Sequence, residues 1–149
     1  MHRRTFLNAV SAVMLAALAG NIGIVALAAE VEPVRVVYHM VDGLDQAMRG
    51  LANIRNHLRA APETRIVVVA HGEGINFLLA GARDRNGRAF DAQVAALAAQ
   101  GVQFRVCDNT LQAREIPISQ LLSQASVVPS GVVEVARLQA REGYVYLRP

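Results

Sequence analysis

The chain has 149 residues, 53% of them hydrophobic, which is enough for one domain with its own core and excludes a disordered tail. Its 15 basic side chains are all arginine, so a Walker-type phosphate loop and a Schiff-base amine, which both need lysine, are excluded. Setting aside Arg3 and Arg4 at the N-terminus leaves 13 arginines against 12 acids, so the pI of about 9.7 does not mark a nucleic-acid surface.

The first thirty residues read as a targeting segment. Arg3 and Arg4 are followed by Phe6 and Leu7, then by an apolar run from Ala9 to Ala29. Ala26-Leu27-Ala28 has the small residues of a cleavage site. The Arg-Arg-x-Phe-Leu order is similar to a twin-arginine export signal. A general secretory leader is the alternative. A retained anchor is a third reading, since the run could span ~30 Å of hydrocarbon. Its Gly, Asn and Ala content favours cleavage after Ala28. The expected organisation is a leader over 1–28 and one domain over 29–149, in the periplasm, meeting a membrane only through an uncleaved leader. One cysteine in an oxidising compartment cannot form an intrachain disulfide.

Beyond the leader, strand and helix patterns alternate. Val34–Tyr38 is β-rich. Asp42-Gly43 is a turn and a possible cap. Leu44, Ala47, Met48, Leu51, Ile54 and Leu58 then follow at helical spacing, up to Pro62. His57 within that helix is expected on the solvated side. Ile66–Ala70 is a continuous apolar strand of the kind covered on both faces. His71-Gly72-Glu73-Gly74 turns the chain into a short helical piece over Ile75–Ala80, and Arg83–Arg88 is a polar loop. Asp91 is expected to cap a helix through Gln100, closed by Gly101. Val102–Val106 is a third strand ending at Cys107, with Asn109 or Thr110 capping a short helix toward Arg114. Ser126–Val128 is a brief strand, Ser130-Gly131 opens a helix through Glu142, and Tyr144–Leu147 is the last strand. Alternation of this kind implies a mainly parallel sheet with helices on both faces.

In such sheets, sites lie beyond the carboxyl ends of the strands. His39 follows the first strand, His71 the second, and Cys107, Asp108 and Asn109 the third. A thiolate is a nucleophile, and a helix N-terminus lowers a thiol pKa; Asp108 opposes this through its charge. The competing role for Cys107 is that of a small buried hydrophobe. The Gly72–Gly74 turn could cradle an anion, but Phe77 stands where a dinucleotide fingerprint needs its third glycine. His39, His71 and Cys107 could ligate a metal only without any local ligand spacing, so no metal is expected. Ser130 reads as a helix cap, and no G-x-S-x-G elbow is present.

Gly101 through Ile116, with a strand ending in Cys107, a short helix and an Arg114-Glu115-Ile116 step, resembles the DsrE/DsrF-like sulfur-relay family. The Asp42 region, the Ile66–Ala70 strand with His71-Gly72, and the Pro129-Ser130-Gly131 helix start fit the same pattern over Val34 to Pro149. The resemblance implies a three-layer α/β/α fold with a mainly parallel five-stranded sheet. It implies homo-oligomers, often trimers or hexamers, and a cysteine that carries sulfur as a persulfide, a role that falls to Cys107. The expected partners are a sulfane sulfur donor and a thiol acceptor, with no nucleic acid and no cofactor. His39, His71 and Asn109 are expected to orient the donor. The rival class is a non-catalytic oligomeric module binding a small ligand, with Cys107 structural. Many relatives have glycine where this chain has Glu115, and sulfur-relay members work in the cytoplasm, whereas this chain begins with an export-like leader.

Overall fold

The computed structural model describes residues 32–149; the leader expected over 1–28 lies outside the described residues. Five strands alternate with helices: β1 Arg35–Met40, α1 Leu44–Ala60, β2 Arg65–Ala70, α2 Phe90–Ala98, β3 Gln103–Cys107, α3 Asp108–Ala113, β4 Ala125–Val128, α4 Gly131–Glu142 and β5 Val145–Leu147. The sheet runs β4-β3-β2-β1-β5, and every neighbouring pair is parallel. It is the expected α/β architecture, with helices on both faces.

The order follows from crossover handedness. Each step from β1 to β4 moves the chain one way along the sheet, so right-handed crossovers put α1, α2 and α3 on one face. The return from β4 to β5 runs the other way and carries α4 to the opposite face. β3 and β4 are therefore neighbours whose outgoing chains diverge, the position at which open parallel sheets place their sites. Cys107 ends β3, and it pairs in register with Val128 at the end of β4.

Strand alternation divides the core in two. Val36, Tyr38, Met40, Ile66, Val68, Ala70, Phe104 and Val106 join the larger cluster under α1 and α2. Phe77 lies edge-on to Phe90 at 5.9 Å and to Phe104 at 6.2 Å in that layer. Val37, Val67 and Val69 face the other way and pack with Val135 and Leu138 of α4. One twelve-residue helix is all that covers this second face among the described residues.

Several local expectations are corrected. The α1 N-cap is Gly43 and has no side-chain cap. Asp42 instead pairs with Arg148 at 2.8 Å, and buried Gln46 accepts the Val41 and Asp42 N–H groups at 2.6 and 2.8 Å. The segment after His71 is a 3-10 helix over Gly72–Leu78, starting earlier than the expected Ile75. Asp91 does not cap α2; Ala89 holds that position. Ser130 occupies the N-cap of α4 without a side-chain bond. His57 is half-buried rather than solvated, its Nδ1 hydrogen-bonded to the Tyr38 hydroxyl at 3.0 Å.

Candidate functional site

The ends of β1, β2 and β3 and the start of α4 meet around Cys107. The residue is 5% exposed and is the N-cap of α3, the position expected for Asn109 or Thr110. The thiol therefore sits at the first turn of α3, where the Asn109 N–H also reaches the Pro129 carbonyl at 3.4 Å. Burial pushes its pKa up. The Gly131 N–H, the Thr110 hydroxyl and the Thr110 and Asn109 N–H groups outweigh that, so the thiol lies below its ordinary value. The Asp108 carboxylate accepts from Gln112 at 2.6 Å, along the helix.

Thr110 also reaches the second strand end, its hydroxyl oxygen accepting the Gly72 N–H at 3.0 Å. Arg114 closes the same link by donating to the Gly72 carbonyl at 3.1 Å. Gly74 serves close packing: a Cβ there would stand 2.1 Å from the Met40 carbonyl oxygen, so the turn lies against the end of β1. Gly72 instead supplies a positive φ of 57°. The anion-cradle reading loses its basis, since the Gly72 and Gly74 N–H groups already donate to Thr110 and to the His71 carbonyl.

α4 is held to the sheet by buried Glu134, which pairs with Arg105 of β3 and accepts from Arg137 at 2.9 Å. The Arg137 hydrogen bonds, with Arg105 beside them, keep the Glu134 carboxyl below the usual carboxylate range. One turn earlier, Gly131 meets both the cysteine and a histidine: a Cβ there would lie 3.1 Å from the His71 Cβ and 3.2 Å from the Cys107 Cβ.

His71 and His39 stand side by side, ring centres 4.8 Å apart. The His39 Nδ1 shares a 2.9 Å hydrogen bond with the Tyr146 hydroxyl. Burial lowers the His39 pKa to about 4, helped by His71 and Arg148 and opposed by Asp42. Burial also lowers that of His71. Both rings are therefore neutral at neutral pH, and both Nε2 atoms are enclosed without a protein partner. Among the described residues, no group of three His, Cys, Asp or Glu side chains is placed to share a metal ion.

Of the residues singled out in the sequence, Cys107 and His71 are brought together against Gly131, and His39 stacks on His71. Asn109 contributes its backbone N–H, while the residue itself is exposed. Gly131 and Tyr146 were not foreseen. Gly131 could have been read from a glycine opening a helix that already had Ser130 as cap; Tyr146 carried no signal without the strand order.

The sequence matches the DsrE/DsrF-like family over residues 25–149. The chain belongs to the DsrE/DsrF-like family. Among solved structures, it is similar to MTH1491 from Methanobacterium thermoautotrophicum, a protein of unknown function. Identity is 35%, the TM-score is 0.69, and the match covers 78% of this chain and 99% of that one. It also shares its fold with the YchN protein from E. coli, at 15% identity and a TM-score of 0.63, over 80% of this chain and 100% of that one. No curated protein matches the sequence. The DsrE/DsrF-like family is linked to sulfur relay, and its Cys segment here is the segment that forms the end of β3 and α3.

Proposed function

We propose that the protein is a sulfur carrier that holds sulfane sulfur as a persulfide on Cys107. The observation that supports this most directly is the placement of the thiol: Cys107 is the N-cap of α3 and lies against the start of α4 at Gly131. Two helix starts and the Thr110 hydroxyl hold the thiol below its ordinary value in spite of burial, which favours the thiolate, the form that attacks a sulfur–sulfur bond. In the step, Cys107 Sγ forms a bond to the donor's outer sulfur. The donor's own sulfur–sulfur bond breaks, and its electron pair leaves with the remainder. An acceptor thiolate then attacks the outer sulfur of the persulfide and returns Cys107 as thiolate, so no external oxidant or reductant is consumed. Neutral His39 and His71, with unpaired Nε2 atoms, are suited to hydrogen-bond the donor, and Asn109 flanks the same mouth.

The proposed setting is the periplasm, reached through the Arg3-Arg4 leader with cleavage after Ala28. The proposed state is a homo-oligomer. Val132 and Val133 on α4 are more than half exposed and supply apolar surface for it. A second reading rests on the 5% exposure of Cys107: a thiol this enclosed suits a structural cysteine in a ligand-binding module.

Incubation with a sulfane sulfur donor separates the two. The carrier reading expects native protein to gain the mass of one sulfur atom, lost on reduction. Cys107→Ser should keep fold and assembly but gain nothing. A native wild-type protein that gains no sulfur, or a Cys107→Ser variant that gains as much, rejects it.

A further inference from the structure

We propose that Gly131 is a positioning residue for Cys107: its missing side chain lets the first turn of α4 close on the thiol and hold it for ionisation. The proposal rests on the reading of Cys107 as the working group of the site. It names a residue that acts on the sulfur through backbone alone.

Glycine is not needed at 131 for its conformational range. Its φ lies outside the left-handed region, unlike that of six other glycines, and it opens an ordinary helix. Helix propensity argues against it, because alanine is the better helix former. What glycine supplies here is space. A Cβ would stand 3.1 Å from the His71 Cβ, 3.2 Å from the Cys107 Cβ and 3.3 Å from the His71 Cδ2. The two Cβ atoms belong to residues at the ends of β2 and β3, tied to the sheet backbone. They cannot swing aside as the tip of a long side chain would.

The helix cannot simply slide along the sheet either. Glu134, one turn on, is bound to Arg105 of β3 and to Arg137, and Val135 and Leu138 are packed on Val37, Val67 and Val69. A methyl group at 131 must therefore push the first turn of α4 away from the two strand ends by a few tenths of an ångström. The group that moves is the Gly131 N–H, one of the groups that hold the Cys107 thiol below its ordinary value. The shift weakens that interaction and draws back the positive end of α4. Asn109 and Thr110, on α3, remain in place.

The test uses Gly131→Ala in the full chain and follows alkylation of native Cys107 against pH. The midpoint should move to higher pH, and the rate at neutral pH should fall severalfold, less than the loss of a whole hydrogen bond to a charged group, which is worth over tenfold at ~1.5–3 kcal/mol. Secondary structure and thermal midpoint should hold, because the helix gains a better former. Ser130→Ala, which removes a hydroxyl that makes no capping bond, should leave the profile unchanged. Wild-type protein supplies a readout that needs no variant. The Gly131 amide resonance should titrate with the thiol midpoint, and the titration should vanish in Cys107→Ser.

A Gly131→Ala profile that overlays the wild type overturns the proposal, as does a Gly131 amide blind to thiol ionisation. Sulfur loading reports on the carrier reading separately. Wild-type protein that loads sulfur beside an unshifted Gly131→Ala profile rejects only the role of Gly131. A shifted profile in a protein that never loads sulfur rejects only the carrier.

Discussion

Replacing Thr110 by valine keeps the shape of the side chain and deletes one oxygen, which makes two contacts. It accepts the Gly72 N–H at 3.0 Å, and its hydroxyl serves the Cys107 sulfur. The first is an ordinary hydrogen bond worth ~0.5–1.5 kcal/mol net. The second, to a charged sulfur, is worth ~1.5–3 kcal/mol. At a pH below the thiol's midpoint, the variant should lose only the first. The second is tied to ionisation. The folded thiol ionises below its ordinary value, so its contribution is present above the unfolded pKa and is lost as pH falls through the folded one. The stability gap between wild type and Thr110→Val should therefore widen as pH rises. Urea denaturation across that range measures it, and native-state alkylation measures the same energy as a rate, about tenfold slower near neutral pH for each ~1.4 kcal/mol. A gap that is flat with pH, together with an unchanged alkylation profile, would refute the assignment of Thr110 as a donor to the thiolate.

Two further outcomes are expected. His39 takes up a proton in the unfolded chain near pH 6.5 but resists it in the fold down to about 4, so acid between those values destabilises the protein. His39→Gln should make that acid-side loss of stability shallower in denaturation midpoints, and an equal slope would count against the buried neutral imidazole. Glu115 holds φ 53°, a left-handed conformation that costs an L-residue ~1–2 kcal/mol, partly offset in glycine by ~0.5–1 kcal/mol of extra chain entropy. Glu115→Gly should thus raise stability by about 0.5–1 kcal/mol, and a lowered denaturation midpoint would show that the Glu115 side chain contributes more than its backbone costs.

The positive φ at Glu115 is a conformation that favours glycine at this step. It also shows how far the sequence could be read. The apolar spacing of Leu44 to Leu58 is periodic and Ile66–Ala70 is an unbroken apolar run, and both elements formed within a few residues of their expected bounds. Strand order carries no such signal. The neighbourhood of His39 and Tyr146 depends on β5 pairing with β1, a contact between residues 107 positions apart. Capping preference misled at α3, since Asn109 and Thr110 are favoured cap types and Cys107 is not, yet Cys107 takes the position. Thr110 is used instead to tie α3 to the turn after β2. The glycines at 74 and 131 looked like loop and helix-start punctuation, but each answers to a neighbour distant in sequence: the Met40 backbone for Gly74, and Cys107 with His71 for Gly131.

A sulfur carrier must both take up and give up sulfur on Cys107 in the folded protein. The most direct measurement is a single cycle followed by intact mass: native protein is loaded from a sulfane sulfur donor, freed of it, and mixed with an acceptor thiol. Native protein should gain one sulfur atom on Cys107, then return to the starting mass with one equivalent of acceptor persulfide released per chain. A native Cys107 that stays unmodified, and reacts only after denaturant has opened the sheet end, would contradict it and leave the cysteine a packing residue.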